Sequence, residues 1–431
     1  MQKTLFLIRM QLRLTYRVSM LSSICACRKR SYFSVLFIFF LNNYSLAVIY
    51  PIFTGLILDP SHGMLPTLYS VQARLPLLGL AMGAFPLFMI LGAFCLPKLA
   101  RKFSNYSTLI VTIIGIIIGF CITALGVYLK LYVVLVLGRV VAGFCAGNIS
   151  ICQNIFTSLF IKSESRSRNF ATLGGIAGIS FIIAILVGGV FSDKSVCRAF
   201  SEPIPFFITS VLYLATLIFF SLCYKENYKR REHEQHKRSS HLISPLLKRK
   251  TNVLNYLIFF FLILGWFPTI QFFATDFIER FHGNKLGITK VLSTAGILWF
   301  VGMSLVSKRI IKCFCDTSTL KIFIFLISTC LILSAVFNQL GVFLVAFLGC
   351  VLFASIAWSI CLHMISTEAD TDLQGRVLGI NQFIITLSMM IGPILVGFIG
   401  RFEVRDIYII NSCSTIISFF ILSFKRRKQI F

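Results

Sequence analysis

Stretches of about 20 residues with almost no charge recur twelve times along this chain, each bounded by charges or turn residues. They run approximately over 33–56, 78–97, 108–128, 131–154, 170–191, 205–223, 253–275, 288–306, 320–337, 340–363, 376–399 and 406–424, the eighth and ninth being short with poorly marked ends. A helix rises about 1.5 Å per residue and so crosses a hydrocarbon layer of roughly 30 Å in about 20 residues. Lipid offers no partner to a bare N–H or C=O, which restricts a spanning segment to a helix or a closed barrel. The windows are too long and too uniformly apolar for alternating barrel strands. Composition agrees, because 57% hydrophobic and 13% charged residues, with 45 Phe, are more than a soluble globule can hide from water. The expected fold class is an all-α membrane protein with twelve transmembrane helices.

The formal charge of +26 invites a nucleic-acid reading, but the positions of the cations oppose it. Of the 41 Lys and Arg, 31 fall in segments that share a side with the N-terminus, 9 fall on the other side, and Arg139 lies inside a window. Cationic loops are retained on the cytoplasmic side, so both termini and the long central loop are expected there, in the inner (plasma) membrane. The same cations would attract anionic lipid headgroups, and no nucleic-acid partner is expected. The 14 Cys are scattered mostly through apolar windows, without the paired spacing of a zinc site or disulfide framework. Residues 1–32 read as a basic cytoplasmic tail that superficially resembles a mitochondrial presequence, and Met20 is an alternative start.

Residues 224–252 are dense in Lys, Arg, His, Ser and Glu and read as a solvated linker. It divides the chain into six-helix halves at 33–223 and 253–424, with a second basic tail at 425–431. Shifting the sequence by 208 residues sets Arg168 on Arg376, Ala171 on Gly379, Ala184 on Gly392 and Gly189 on Gly397. A six-span repeat suits two bundles that rock about a shared site near the midplane.

Three motifs carry a family resemblance. After the second window, Gly92, Pro97, Lys98, Arg101, Lys102 and Ser104 follow a degenerate G-x-L-a-D-r-x-G-r-k, with Pro97 for Gly, Arg101 for Asp and Ser104 for Gly. In the fourth, Arg139 and Gly143 match R-x-x-x-G. In the eleventh, Gln374, Gly375, Arg376, Gly379, Asn381 and Gln382 lead to Gly392 and Pro393. The chain thereby resembles the major facilitator superfamily, in its drug:proton antiporter branch that includes the tetracycline exporters. The resemblance covers nearly everything after residue 32 and implies two six-helix bundles. It also implies a part in proton coupling for Arg139 and puts the usual conformational latch in doubt, since the latch Asp is Arg101. The antiporter signature of the fifth span survives only as Ala171, Ser180, Ala184, Gly188 and Gly189.

Arg139 lies about eight residues into its window, near the bilayer centre. A guanidinium left in lipid costs at least about 2.5 kcal/mol, so Arg139 is expected to face a watery cavity or an internal partner. Gly143, Ala146, Ser150 and Gln153 follow on its helical face, which favours Gln153 over Asn148 as a cavity residue. All fifteen acidic residues fall in loops or at window ends, and where relatives carry an acid in the first span this chain has Asn42 and Asn43. Only Asp276, near the end of the seventh window, stands close enough to dip into a cavity. Asn42, Trp266, Gln271, Trp358, Asn381 and Gln382 complete the candidate cavity, each with the alternative role of a hydrogen-bonded packing residue. Pro268 and Gly392-Pro393 are expected to kink their helices.

There is no G-x4-G-K-[ST] phosphate cradle, and His233-Glu234-Gln235-His236 sets its histidines one residue too close for a zinc protease. No enzyme activity, metal or cofactor is expected. The leading expectation is a monomeric secondary transporter exporting a small amphipathic organic compound by alternating access, with protons as a candidate coupling ion. Uptake or facilitated diffusion of a polar nutrient such as an amino acid, and a non-transporting sensor or scaffold, are the alternatives.

Overall fold

Each apolar window folds as a helix because only a helix meets its own backbone hydrogen bonds in lipid. The computed structural model describes residues 30–59, 63–66, 69–159, 163–224, 250–314, 317–367, 374–399, 403 and 405–427. Apart from their edges, the expected tails and the 224–252 linker lie outside these residues. Twelve helices long and apolar enough to cross a membrane follow in order: α1 (Arg30–Leu58), α2 (Gln72–Lys102), α3 (Asn105–Tyr128), α4 (Tyr132–Gln153), α5 (Leu173–Phe191), α6 (Ile204–Cys223), α7 (Val253–Phe281), α8 (Lys285–Cys313), α9 (Thr317–Val336), α10 (Leu340–Thr367), α11 (Gly379–Ile399) and α12 (Asp406–Phe424).

Local chemistry sets several boundaries. Side-chain oxygens of Ser70, Ser104 and Asn284 cap α2, α3 and α8 by accepting from the N–H of Ala73, Ser107 and Gly287. The short eighth window becomes a 29-residue helix, because a π-helical turn over Gly302–Val306 carries it into the basic segment Ser307–Phe314. α7 runs past its window to Phe281 and takes Asp276 inside the helix, fully buried. Asp276 thus sits near the end of a spanning helix, where the sequence places it, and is buried there.

Within the first bundle, α1 to α6, one polar chain crosses four helices. The Asn148 amide donates to Thr112 of α3 at 2.9 Å and accepts from Asn42 of α1 at 2.8 Å. Tyr213 of α6 donates to Asn42 at 3.0 Å and shares a 3.1 Å bond with Ser45. The second bundle has its own set: Asn411 donates to Thr269, Ser328 pairs with Thr415, and Ser414 and Ser418 donate to carbonyls of α7. Such bonds join helices where lipid supplies no hydrophobic drive between them. Large apolar side chains such as Val133, Leu222 and Val345 point outward, as a lipid-facing surface requires.

The halves meet through α2 against α11, α5 against α8, and the end of α1 against α7. Glycine permits the closest approaches. A Cβ on Gly79 of α2 would strike the Pro393 carbonyl of α11, and one on Gly189 of α5 would strike Thr289 of α8. Both contacts sit on the face opposite the chain termini. There Lys285 also donates to the Ser192 carbonyl at 3.2 Å and pairs with Glu202 at 3.4 Å.

Candidate substrate cavity

Between the halves lies a cavity of about 180 Å³. Every tryptophan of the chain contributes to it. Trp266 of α7 stacks on Trp299 of α8 with centroids 4.6 Å apart and planes at 23°, and Trp358 of α10 stands edge-on to both at 6.3 and 5.5 Å. From α1, Phe39, Asn43 and Leu46 face the same space, an i, i+4, i+7 stripe. Gln153 at the end of α4 and Gln382 of α11 join across it, Nε2 to Oε1, at 3.2 Å. Among the described residues no lining side chain is charged.

Gln153, Trp266, Trp358, Asn381 and Gln382 all line the cavity. Asn42, Gln271 and Arg139 do not. Asn42 is a junction of the polar chain inside the first bundle, and its neighbour Asn43, with Nδ2 bonded to the Phe39 carbonyl at 2.8 Å, holds the place on the wall. The helical phase of α1 decides between them, since Asn43 shares its face with Phe39 and Leu46. Gln271 is buried near Tyr50 at the α1–α7 contact. Trp299, absent from the sequence expectation, belongs to the indole cluster, and its signal was the scarcity of the residue type: the chain has 3 Trp.

Arg139 is wholly buried and meets internal partners rather than the cavity. Its Nη1 donates to the Ser45 carbonyl at 3.3 Å, and its guanidinium lies 4.3 Å from the Phe85 ring centre and 5.9 Å from that of Phe53. Among the described residues Nε and Nη2 have no hydrogen-bond partner. The small residues that follow on its face serve packing first, since Gly143 fits against the backbone of Phe85.

Asp276 is held by Arg280 one turn on, at 3.0 Å, and Arg280 also caps the end of α9 through the carbonyls of Ser334 and Phe337. Lys98, Arg101 and Lys102, after the partly buried Pro97, are exposed at the end of α2 with no acidic partner among the described residues. Gly188 fits against the Val48 carbonyl, and Gly392 lies on the Pro268 ring, where a Cβ would come within 2.6 Å of Cγ. The two proline sites thus touch each other, and both helices continue through their prolines.

Twelve spanning helices in two bundles about a shared central cavity define a multi-pass membrane transport fold. The Major Facilitator Superfamily model matches residues 32–383, and the chain belongs to that family. It is 22% identical over 343 residues to a tetracycline resistance protein, class H, of Pasteurella multocida, covering 76% of this chain and 80% of that one. Among solved structures it is similar to the inward-open xylose transporter of E. coli, with a TM-score of 0.70, 13% identity and coverage of 91% and 94%. It is also similar to the human organic anion transporter MFSD10, with a TM-score of 0.65, 16% identity and coverage of 92% and 99%.

Proposed function

We propose that this transporter is a monomeric secondary exporter that carries a small amphipathic organic solute out of the cell by alternating access. The observation that carries the reading is the cavity at the junction of the halves, where indoles and phenyl rings meet carboxamides and, among the described residues, no charge. Such a wall suits a solute with one apolar body and a few polar edges. The relative named for tetracycline resistance supports the outward direction. The excess of cations on the side of the termini supports an inner-membrane orientation with termini and linker cytoplasmic, resting on anionic lipid. In this reading Arg139 acts in coupling, through the helix contacts it holds, and not as a ligand contact.

Facilitated diffusion is the second reading, favoured by the lack of a carboxylate among the described residues of the cavity wall. Proteoliposome flux under an imposed pH gradient separates the two. Flux that follows the gradient supports the antiporter, flux indifferent to it supports the facilitator, and binding without flux overturns both in favour of a sensor.

A further inference from the structure

The cavity wall carries few polar groups, and most of them are already engaged. Gln153 and Gln382 satisfy each other, Gln382 Nε2 also reaches Thr386, and Asn43 bonds to Phe39. Among the described residues, two that line the cavity, both buried, keep an unmatched polar atom: Trp266, whose Nε1–H meets no acceptor, and Asn381, whose Oδ1 meets no donor. A buried polar group without a partner is a standing cost that a complementary ligand relieves. Among the described residues the wall offers no countercharge, and Arg139, packed on the rings of Phe85 and Phe53, is not one of the lining residues. An ion entering this space would lose its water and gain no opposite charge in return.

Resting on the transporter reading above, we infer that the solute occupies this cavity as an uncharged aromatic species, accepting a hydrogen bond from Trp266 Nε1 and donating one to Asn381 Oδ1. Both atoms are covered in this arrangement, so engaging them accompanies a turn of each side chain. The indole cluster supplies the apolar platform, and the donor–acceptor pair sets the orientation of the polar edge.

Three probes of one shape test this on the purified full-length protein by equilibrium dialysis at neutral pH: naphthamide, naphthoate and naphthylmethylammonium. The amide is expected to bind at least about tenfold more tightly than either ion, a difference of about 1.4 kcal/mol. Trp266→Phe, which keeps a ring and removes the N–H, and Asn381→Ser should each weaken the amide several-fold while the protein stays monodisperse. Tighter binding of either ion, amide binding untouched by both substitutions, or binding of none of the three overturns the inference. Amide binding with the expected pattern but no flux of the amide in proteoliposomes upholds it while removing the transporter reading.

Discussion

Gln153 of α4 donates Nε2–H to Oε1 of Gln382 in α11 at 3.2 Å, joining the first half to the second on the cavity wall. In the alternating-access cycle proposed above, a bond between the halves exists in one arrangement and is broken in another, so its strength biases the equilibrium. Gln153→Ala and Gln382→Ala are each expected to change transport, and the double variant to fall short of the sum. The coupling should be about 0.5–1.5 kcal/mol, the net worth of one neutral hydrogen bond. Initial rates of solute flux for the four proteins give the cycle, and strict additivity would show that the amides act independently.

Arg139 is a buried cation whose described partners are one carbonyl and two aromatic rings. A buried cation with no carboxylate partner among the described residues leaves its desolvation uncompensated, which an apolar side chain of similar length would remove. Arg139→Met is therefore expected to raise the melting temperature and to stop coupled transport. A lower melting temperature with flux intact would make Arg139 a packing residue alone.

The architecture was legible because lipid imposes one rule on every window: stay apolar for about 20 residues and remain helical. Helix ends were less legible. The π-helical turn at Gly302–Val306 and the burial of Asp276 beyond its window depend on neighbouring helices, which no local pattern records. Residue type pointed to Trp266, Trp358 and Gln382, but telling Asn43 from Asn42 requires knowing which face of α1 meets the cavity and which meets Asn148 and Tyr213. Arg139 has the reverse lesson. Its position along the chain was plain, while its contact with the Phe85 ring comes from a helix some fifty residues away in sequence, brought close through Gly143.

Asn148 joins Asn42 and Thr112 inside the first bundle, away from the cavity. Asn148→Ala leaves the Asn42 amide and the Thr112 hydroxyl without that partner and should cost about 1–3 kcal/mol of stability. Affinity for a cavity ligand should be nearly unchanged. Thermal denaturation and equilibrium binding measured on the same preparation check both halves of the statement, and lost affinity at full stability would move the network into the site.

Among the described residues Asp276 is the one buried carboxylate, and its partner Arg280 also holds the end of α9. Removing one member of a buried pair costs about 3–5 kcal/mol. Asp276→Asn should thus lower thermal stability while flux keeps its response to a pH gradient. Should that response vanish in a protein of near-normal stability, Asp276 is a coupling group and the ion pair is part of the cycle.

On the face opposite the chain termini, the halves are shut by α2 on α11 and α5 on α8, at Gly79 and Gly189. The Pro393 carbonyl and the Thr289 side chain occupy the space that any Cβ at these positions would need. Gly79→Val or Gly189→Val therefore drives a wedge between the halves, at a strain of about 1–3 kcal/mol if they stay closed. Opening this face relieves the strain, so the population should shift toward an arrangement in which the cavity is reached from that side. All 3 Trp lie at the cavity, which makes acrylamide quenching of tryptophan fluorescence a direct readout of its accessibility. Quenching should rise in both variants and flux should fall, because the closed arrangement on this face is a required step of alternating access. Unchanged quenching with normal flux would mean that these helices part elsewhere, and the closure would then belong to the bundle packing and not to the gate.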